Sequence, residues 1–197
     1  DDEELDGYGD VDGLVAHFPL DGSLADALDL TPAGVATMTP QYEEGHFGTS
    51  LWFDGVDDKV TISADNLPQD NAAHTLSLWA KDAEPAGIDW KYVATWSHHG
   101  GGSSGLIRAD TNGEPPGRWV GFYGAPPDVG VSATVTAEWT HLALSHDGDV
   151  MRGYANGILG DWAPVTLQTD GATFVLGMSV GGNSPWKGWL DDVRVYD

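Results

Sequence analysis

Short runs of β-branched and aromatic residues, separated by turn residues, recur along the whole of this sequence. Within residues 74–82, Leu76, Leu78 and Ala80 occupy alternate positions, so they point to one face of a strand while Trp79 points to the other. This period of two is typical of strands in a two-sheet sandwich. The chain is therefore predicted to be all-β, an antiparallel two-sheet β-sandwich or jelly roll. Its predicted strands cover residues 14–20, 50–55, 59–63, 74–82, 91–97, 105–110, 118–124, 129–135, 138–146, 150–157, 173–180 and 188–197.

The 197 residues fit a single domain, since all-β domains of this size often remain undivided. Residues 1–12 are predicted to be an acidic linker, and residues 13–197 are predicted to form the domain. The acidic opening, DDEELDGYGD, suits a mature or trimmed product better than a signal peptide. Cysteine is absent, which excludes disulfides and thiolate metal sites. No run approaches the roughly 20 apolar residues that a membrane-spanning helix requires.

The charge balance restricts the partners of this chain. Eight Lys and Arg residues stand against 31 Asp and Glu residues, for a net charge of −23. Nucleic acids and anionic membranes are excluded as partners, because both require a basic surface. Acidic residues are spread over the whole sequence, so at low salt the surface repels itself, whereas molar salt screens the repulsion. The composition favours a protein from a halophile, and the alternative is a calcium-rich surface protein of a marine microbe.

Five segments in a fixed order resemble the laminin G-like jelly-roll domains of the concanavalin A-like lectin and glucanase superfamily. WTHLALSHDGDVMRGYANG (139–157) has the strand, the Asp-Gly turn and the Y-x-N-G return of that family, and Asn156-Gly157 suits a tight turn with positive φ. The other segments are LVAHFPLDGSLADA (14–27), GTSLWFDGVDDKVTI (48–62), HTLSLWAKD (74–82) and GWLDDVRVYD (188–197). The resemblance implies a concanavalin A-like jelly roll from about residue 13 to the end.

Catalytic motifs are missing from the sequence. Members of the superfamily that cleave glucans carry an E-x-D-x-x-E triplet on one strand, which places the acid and the nucleophile together. Within residues 13–197 the only close pair of glutamates is Glu43-Glu44, whose side chains would point to opposite faces of a strand. Nucleophile elbows and phosphate-binding loops are absent as well. The chain is therefore predicted not to be an enzyme, and His141 in the WTH strand is interpreted as a structural histidine.

The resemblance also implies one structural calcium ion near the first and last strands. Carried over to this sequence, the last-strand ligand is Asp191, and the N-terminal ligands are Asp21 and Asp26. Gly48 would contribute its carbonyl oxygen. Oxygen ligands of these kinds are those that calcium prefers. The alternative is that these aspartates form turns and decorate an acidic surface.

Nine tryptophans exceed what an average core of this size requires. Trp52, Trp79 and Trp139 lie in predicted strands and are expected to be core or sheet-packing residues. Sugars stack on aromatic rings while polar groups bind their hydroxyls. A sugar site is predicted at the loop ends of the sandwich, although the same rings could instead close the ends of the core. Its predicted residues are Trp90, Tyr92, Trp96, His98, His99, Trp119, Tyr123 and Trp186.

Taken together, these features favour an extracellular, non-catalytic carbohydrate-binding or adhesion module with a structural calcium ion. Its partner would be a glycan or a cell-surface polysaccharide, with other surface proteins as further candidates. The main alternative is a structural or protein-interaction domain of a cell-surface or filament protein, with no sugar site. A third option is an accessory domain that stabilises a neighbouring enzyme.

Overall fold

A computed structural model describes residues 12–87, 89–96, 102–109, 118–122, 128–169 and 173–197. Within these ranges the secondary structure is entirely β. None of the described residues belongs to a helix long and apolar enough to cross a membrane. The strands are β1 Leu14–Phe18, β2 Val35–Ala36, β3 Gln41–Glu44, β4 Thr49–Asp54, β5 Val60–Ser63, β6 His74–Asp82, β7 Lys91–Trp96, β8 Ser104–Ala109, β9 Arg118–Phe122, β10 Val129–Thr134, β11 Thr140–His146, β12 Val150–Ala155, β13 Ile158–Pro164, β14 Thr173–Leu176 and β15 Lys187–Tyr196.

The strands form two antiparallel sheets that pack face to face. The eight-stranded sheet has the order β13-β12-β11-β6-β15-β4-β3, and β1 pairs with β15. The seven-stranded sheet has the order β10-β9-β8-β7-β14-β5-β2. One edge of β15 is shared, because β4 pairs with its residues 187–190 and β1 pairs with residues 193–196. Asp191 and Asp192 of β15 lie at this junction between β4 and β1.

The core occupies the space between the sheets and follows the alternation seen in the sequence. Leu76, Leu78 and Ala80 of β6 are fully buried, while Trp79 between them is only half-buried. Val93 and Leu106 contribute from the opposite sheet. The prediction of an antiparallel two-sheet sandwich is confirmed.

Each predicted strand segment contains an observed strand, and Asn156 and Gly157 adopt φ of 50° and 77° in the turn between β12 and β13. The sequence did not predict β2, β3 and β13. The QYEE segment of β3 is polar. In β13 the first five of the seven residues are all exposed. Such edge strands lack the apolar alternation by which strands are recognised.

Candidate functional site

A β-bulge in β15 places two adjacent carboxylates on the same side of the eight-stranded sheet. Leu190 and Val193 are both buried in the core, and the pairing register shifts between Asp191 and Arg194. Asp192 has a φ of 52°, a conformation uncommon outside glycine. The bulge therefore directs Asp191 and Asp192 together to the outer side, where strict alternation would have separated them.

The environments of these two aspartates differ. Oδ1 of Asp192 lies 2.7 Å from Nε2 of His17 and also accepts a hydrogen bond from Arg194. Burial alone would raise the pKa of Asp192, but these two partners hold it below its usual value. The Asp192 carboxylate is therefore kept ionised by its surroundings.

Asp191 is fully buried, and Oδ2 accepts a hydrogen bond from the backbone N–H of Phe47 over 2.8 Å. Its second oxygen, Oδ1, is buried without a hydrogen-bond partner. Burial raises the pKa of Asp191 to about 6. The backbone N–H groups of Phe47 and His46 lower this pKa, whereas the negative charges of Asp192 and Asp21 raise it further. A buried carboxylate in this position gains stability from a bound cation.

The loop of residues 45–48 packs directly on both Asp191 and Asp21. A Cβ atom on Gly45 would lie 2.7 Å from Oδ2 of Asp191, and one on Gly48 would lie 2.2 Å from Oδ1 of Asp21. Gly48 also has a φ of +48°, which favours glycine. The same Asp21 oxygen accepts a hydrogen bond from the N–H of Thr49 over 2.5 Å. The loop thus holds two carboxylates from opposite ends of the chain around one point.

This donor set fits a calcium ion. It offers the unpartnered Oδ1 of Asp191 and the exposed carboxylate of Asp21. The carbonyl of Gly48 in the same loop accepts one hydrogen bond, from the N–H of Gly45 over 3.1 Å, which leaves it a second lone pair. All of these are hard oxygen donors, which calcium prefers over nitrogen or sulfur. The glycines at 45 and 48 let the backbone approach the carboxylates closely. Asp191, Asp21 and Gly48, predicted from the sequence, lie where a cation could be held.

Asp26 does not fit this set, and its prediction as a metal ligand is wrong. Its side chain is buried, and both of its oxygens already accept two hydrogen bonds each from backbone N–H groups. The donors are His17 at 2.8 Å, Leu28 at 3.1 Å, Leu30 at 3.1 Å and Thr31 at 2.8 Å. Asp26 therefore organises the loop after β1, and a metal would have to replace these bonds.

A second group of carboxylates, Asp54, Asp57 and Asp58, lies in the turn between β4 and β5, with ligand atoms within 4.8 Å of one another. Oδ2 of Asp58 accepts a hydrogen bond from the N–H of Asp54, and Oδ1 of Asp54 accepts one from Val56. Burial raises the pKa of Asp58, and Asp54 and Asp57 add to it. These bonds explain the group as a turn-forming unit.

The sugar site predicted at the loop ends is largely contradicted. Trp96, Trp119 and Trp186 have no exposed surface, so none of them can present a ring face to a ligand. They pack inside the sandwich, where the rings of Trp119 and Trp186 lie 5.6 Å apart between centroids. Tyr92 is buried as well.

Trp90 is the one member of the predicted set, among the residues that the structure describes, whose side chain is exposed, at 42%. His98, His99 and Tyr123 lie outside the described residues. The described residues therefore do not bring the predicted aromatic set together around one cleft.

Four other tryptophans are on the outer face of the eight-stranded sheet. Trp52, Trp79 and Trp189 are half-buried at positions that alternate with fully buried core residues, and Trp139 is half-buried just before β11. Of the two places expected for Trp52, Trp79 and Trp139, the structure therefore shows packing on the sheet and not the core. The reason is the alternation itself, because Leu78 and Ala80 fill the core and Trp79 must face outward.

Two of these outward rings, Trp139 and Trp189, border a groove of about 450 Å³. Trp52 packs on Trp189 with ring centroids 4.5 Å apart, and Nε1 of Trp189 donates a hydrogen bond to an oxygen of Glu43 over 2.9 Å. Nζ of Lys81 lies 5.0 Å from the centre of the Trp189 ring. The residues lining the groove are Glu43, Glu44, Gly45, Lys81, Trp139 and Trp189.

The sequence did not predict this groove, because β3 and the turn that follows it carry no strand signal. Glu43 and Glu44 both border it, although strand alternation predicts opposite directions for their side chains. The available signal was strand alternation. Trp79 and Trp189 each stand next to residues that face the core, so their own side chains point to the outer face.

The loop of residues 45–48 connects the carboxylate pair to the groove. Gly45 lines the groove and also packs on Asp191. The next residue, His46, stacks on Trp79 with ring centroids 3.5 Å apart and lies 6.3 Å from Trp139. His141 lies on the same face, 5.2 Å from Trp79. One short loop therefore touches both the carboxylates of Asp191 and Asp21 and the tryptophan rings of the outer face.

Structural comparison finds the same fold in proteins of several kinds. Domain 4 of AbnA, a GH43 extracellular arabinanase from Geobacillus stearothermophilus solved in complex with arabinotriose, superposes with a TM-score of 0.73 at 22% identity over 93% of this chain and 92% of that domain. The binding domain of botulinum neurotoxin serotype D gives 0.64 at 13% identity over 93% of this chain. A Trypanosoma rangeli sialidase mutant with trans-sialidase activity gives 0.67 at 18% identity over 93% of this chain.

This chain spans 48% of the toxin domain and 30% of the sialidase, whereas it corresponds to nearly the whole of the arabinanase domain. No curated protein sequence matches it. A family model described as the concanavalin A-like lectin/glucanases superfamily, Laminin_G_3, matches residues 54–197. The chain belongs to the laminin G-like family of the concanavalin A-like lectin and glucanase superfamily.

Proposed function

We propose that this domain is a non-catalytic carbohydrate-binding module that works outside the cell and holds a structural calcium ion. One observation carries the proposal, namely that indole rings on the outer face of the eight-stranded sheet border a groove with carboxylates and an ammonium group. The core does not require these rings, since other tryptophans fill it. Ring faces flanked by a few polar groups are what a sugar needs for stacking and hydroxyl binding.

The comparisons support this proposal. The arabinanase domain of the same fold was solved in complex with arabinotriose, and its parent enzyme is extracellular. The toxin domain of the same fold is a binding domain. These neighbours favour a glycan as the partner of this chain and a location outside the cell.

The calcium ion would be held by Asp191, Asp21 and the carbonyl of Gly48. It would supply positive charge to the buried Asp191 carboxylate and fix the loop of residues 45–48. This role would be structural, because neither Asp191 nor Asp21 lines the groove. The unpartnered Oδ1 of Asp191 is the observation that supports it.

A non-catalytic role suits the carboxylates of the groove. Retaining glycosidases hold two carboxyl groups about 5–5.5 Å apart on either side of the scissile bond, and one of them must be free to give a proton. Here a carboxylate oxygen of Glu43 already accepts the indole N–H of Trp189 over 2.9 Å, so that oxygen serves to hold the ring. We therefore expect glycans to bind without cleavage.

A second candidate function is protein interaction, favoured by the edge strand β13. Ile158, Leu159 and Trp162 on this strand are exposed by 63%, 45% and 59%. Exposed apolar residues on an open strand edge can pair with another protein. In this case the domain would serve as a structural or interaction unit of a surface protein.

A glycan array probed with the whole chain in molar KCl and calcium tests the proposal. Binding to one glycan class, with no shortening of the bound oligosaccharide on incubation, is the expected result. A folded protein that binds no glycan would overturn the carbohydrate-binding function, and release of shorter sugars that disappears in Glu44→Gln would overturn the non-catalytic role.

A further inference from the structure

We infer that the glycan-binding site is the outer-face groove between Trp139 and Trp189, and that it takes an uncharged glycan in preference to one bearing carboxylate or sulfate groups. This inference rests on the proposed carbohydrate-binding function and assigns it a place and a ligand class. The place differs from the loop end that the sequence suggested, where Trp90 is the exposed tryptophan.

A row of paired side chains crosses four strands of this face and supplies Trp189 and Lys81 to the groove. Gln41 pairs with Trp52, Trp52 pairs with Trp189, and Trp189 pairs with Lys81. Neighbouring strands lie about 4.8 Å apart, so the row extends over roughly 15 Å. Paired residues point to the same face of a sheet, which makes the row a continuous platform. A platform of this length offers several successive contacts to a chain-like ligand.

The ring of Trp189 is held in place by its neighbours. Trp52 packs against it at 4.5 Å, and Glu43 fixes its N–H at 2.9 Å. A ring that is already oriented loses little conformational entropy when a ligand stacks on it. The groove is therefore organised before binding, and its volume of about 450 Å³ lies within the range of about 300–1,000 Å³ seen for ligand sites.

The polar groups of the groove have mixed charge. Glu43 and Glu44 accept hydrogen bonds, while the ammonium of Lys81 donates them. Sugar hydroxyls both donate and accept, so they can use both kinds of group. Since the chain offers only eight Lys and Arg residues, a donor at this position is a specific feature of the face.

The same charges disfavour charged ligands. An anionic glycan would approach two carboxylates on a protein with a net charge of −23. A cationic peptide would compete with Lys81, whose Nζ already lies 5.0 Å from the Trp189 ring. An uncharged polyhydroxylated ligand avoids both conflicts.

Three kinds of probe separate these ligand classes: neutral oligosaccharides such as arabinotriose and cellotriose, the anionic polymers polygalacturonate and dextran sulfate, and a polylysine peptide. Each is titrated by calorimetry in calcium, at the lowest salt in which the fold persists, so that charge effects are not screened. Tight binding of a neutral sugar and weak binding of both charged classes is the expected result. Preferred binding of an anionic polymer or of polylysine would overturn the assigned ligand class.

Variants then locate the site. Trp139→Ala is expected to weaken sugar binding by about tenfold or more, whereas Trp90→Ala and Trp162→Ala, which remove other exposed indoles, should stay within about twofold of the wild type. Glu44→Gln provides a second groove variant with little effect on packing. Because it removes one of the two carboxylates, it should bind polygalacturonate more tightly than the wild type does.

The outcomes distinguish the inference from the proposed function. If the wild-type chain binds a neutral glycan and Trp90→Ala abolishes binding while Trp139→Ala does not, the groove is the wrong place but the carbohydrate-binding function stands. If the folded wild type binds none of the sugars in calorimetry and none on the array, the proposed function fails, and the inference fails with it.

Discussion

The backbone N–H of Phe47 donates a hydrogen bond to Oδ2 of Asp191 over 2.8 Å, between residues 144 positions apart in the chain. Phe47 belongs to the loop of residues 45–48, and its neighbour Gly45 lines the outer-face groove. The other oxygen of Asp191 lacks a partner in the described part of the chain. The buried carboxylate of Asp191 and the groove are therefore connected through one short loop.

Calcium is expected to reverse the stability order of the wild type and Asp191→Asn. With a chelator, Asp191→Asn should be at least as stable as the wild type, because it removes a buried charge. Calcium at about 100-fold its dissociation constant should stabilise the wild type by about 2.7 kcal/mol and leave the variant unchanged, so in calcium the wild type should be the more stable of the two. Thermal melting of both proteins in both buffers measures this.

Asp26→Asn is the control for the calcium prediction. It weakens the acceptor of four backbone N–H groups and should lower stability by about 1–3 kcal/mol with or without calcium. Its calcium-dependent shift should equal that of the wild type. A wild type that melts at the same temperature in calcium and in chelator would contradict the cation site.

Gly48→Ala should destabilise the protein more than Gly22→Ala. Both glycines have positive φ, at +48° and +69°, so both substitutions carry a backbone penalty of about 1–2 kcal/mol. Only at Gly48 would the new Cβ meet a neighbour, Oδ1 of Asp21 at 2.2 Å, whereas at Gly22 nothing lies within 4 Å. Urea unfolding of the two variants isolates the steric part, and equal losses would show that the loop does not pack on Asp21.

Acidification is expected to destabilise the protein through His74. Burial lowers the pKa of His74 to about 4 from 6.5, and its Nε2 lies 2.9 Å from the hydroxyl of Ser104. Because the unfolded chain takes up the proton first, the stability that neutral His74 contributes is complete above pH 6.5 and is lost as the pH falls toward 4. The loss should reach about 3 kcal/mol.

Urea unfolding between pH 7 and pH 4 tests this, with His74→Gln as the comparison. The variant should be less stable at pH 7 and should lose less stability on acidification. The same pH dependence in the variant and in the wild type would contradict the role assigned to His74.

Salt should raise the stability of this chain. Its net charge of −23 opposes compaction, and the Debye length falls from about 10 Å at 0.1 M salt to about 3 Å at 1 M. Unfolding is therefore expected to shift to higher temperature as KCl increases at constant calcium. Sucrose of equal osmolality is the uncharged control, and a larger effect of sucrose than of KCl would contradict the electrostatic explanation.

Core and outer tryptophans should differ in their effect on stability. Trp119→Ala removes a fully buried ring that packs on Trp186 and should cost about 3–5 kcal/mol. Trp139→Ala removes a half-buried ring beside the groove and should cost clearly less. Chemical unfolding compares them, and equal losses would contradict the division between core and outer face.

The fold could be read from the sequence because it depends on local alternation, which the strand of residues 74–82 displays clearly. The positions of Asp191 and Asp21 followed from the family resemblance. Asp26 could not be separated from them, since an aspartate that caps backbone N–H groups and one that holds a metal look alike in a sequence. The difference lies in tertiary contacts.

The burial of the tryptophans could be predicted from the sequence only in part. Their assignment by strand or loop left Trp79 as a core or a sheet-packing residue and put Trp119 in the sugar site, whereas Trp79 packs on the outer face and Trp119 is fully buried. Alternation within β6 was enough to predict that Trp79 faces outward. For Trp119 and Trp186 alternation was not enough, because the burial of residues near loops depends on how the two sheets close over them.

A crystal structure of the chain with calcium and the neutral oligosaccharide that binds most tightly in calorimetry tests most directly whether the outer-face groove is the glycan-binding site. We expect sugar density in the groove between Trp139 and Trp189, within hydrogen-bond reach of Lys81 or Glu44. Sugar density beside Trp90, with an empty groove, would contradict it.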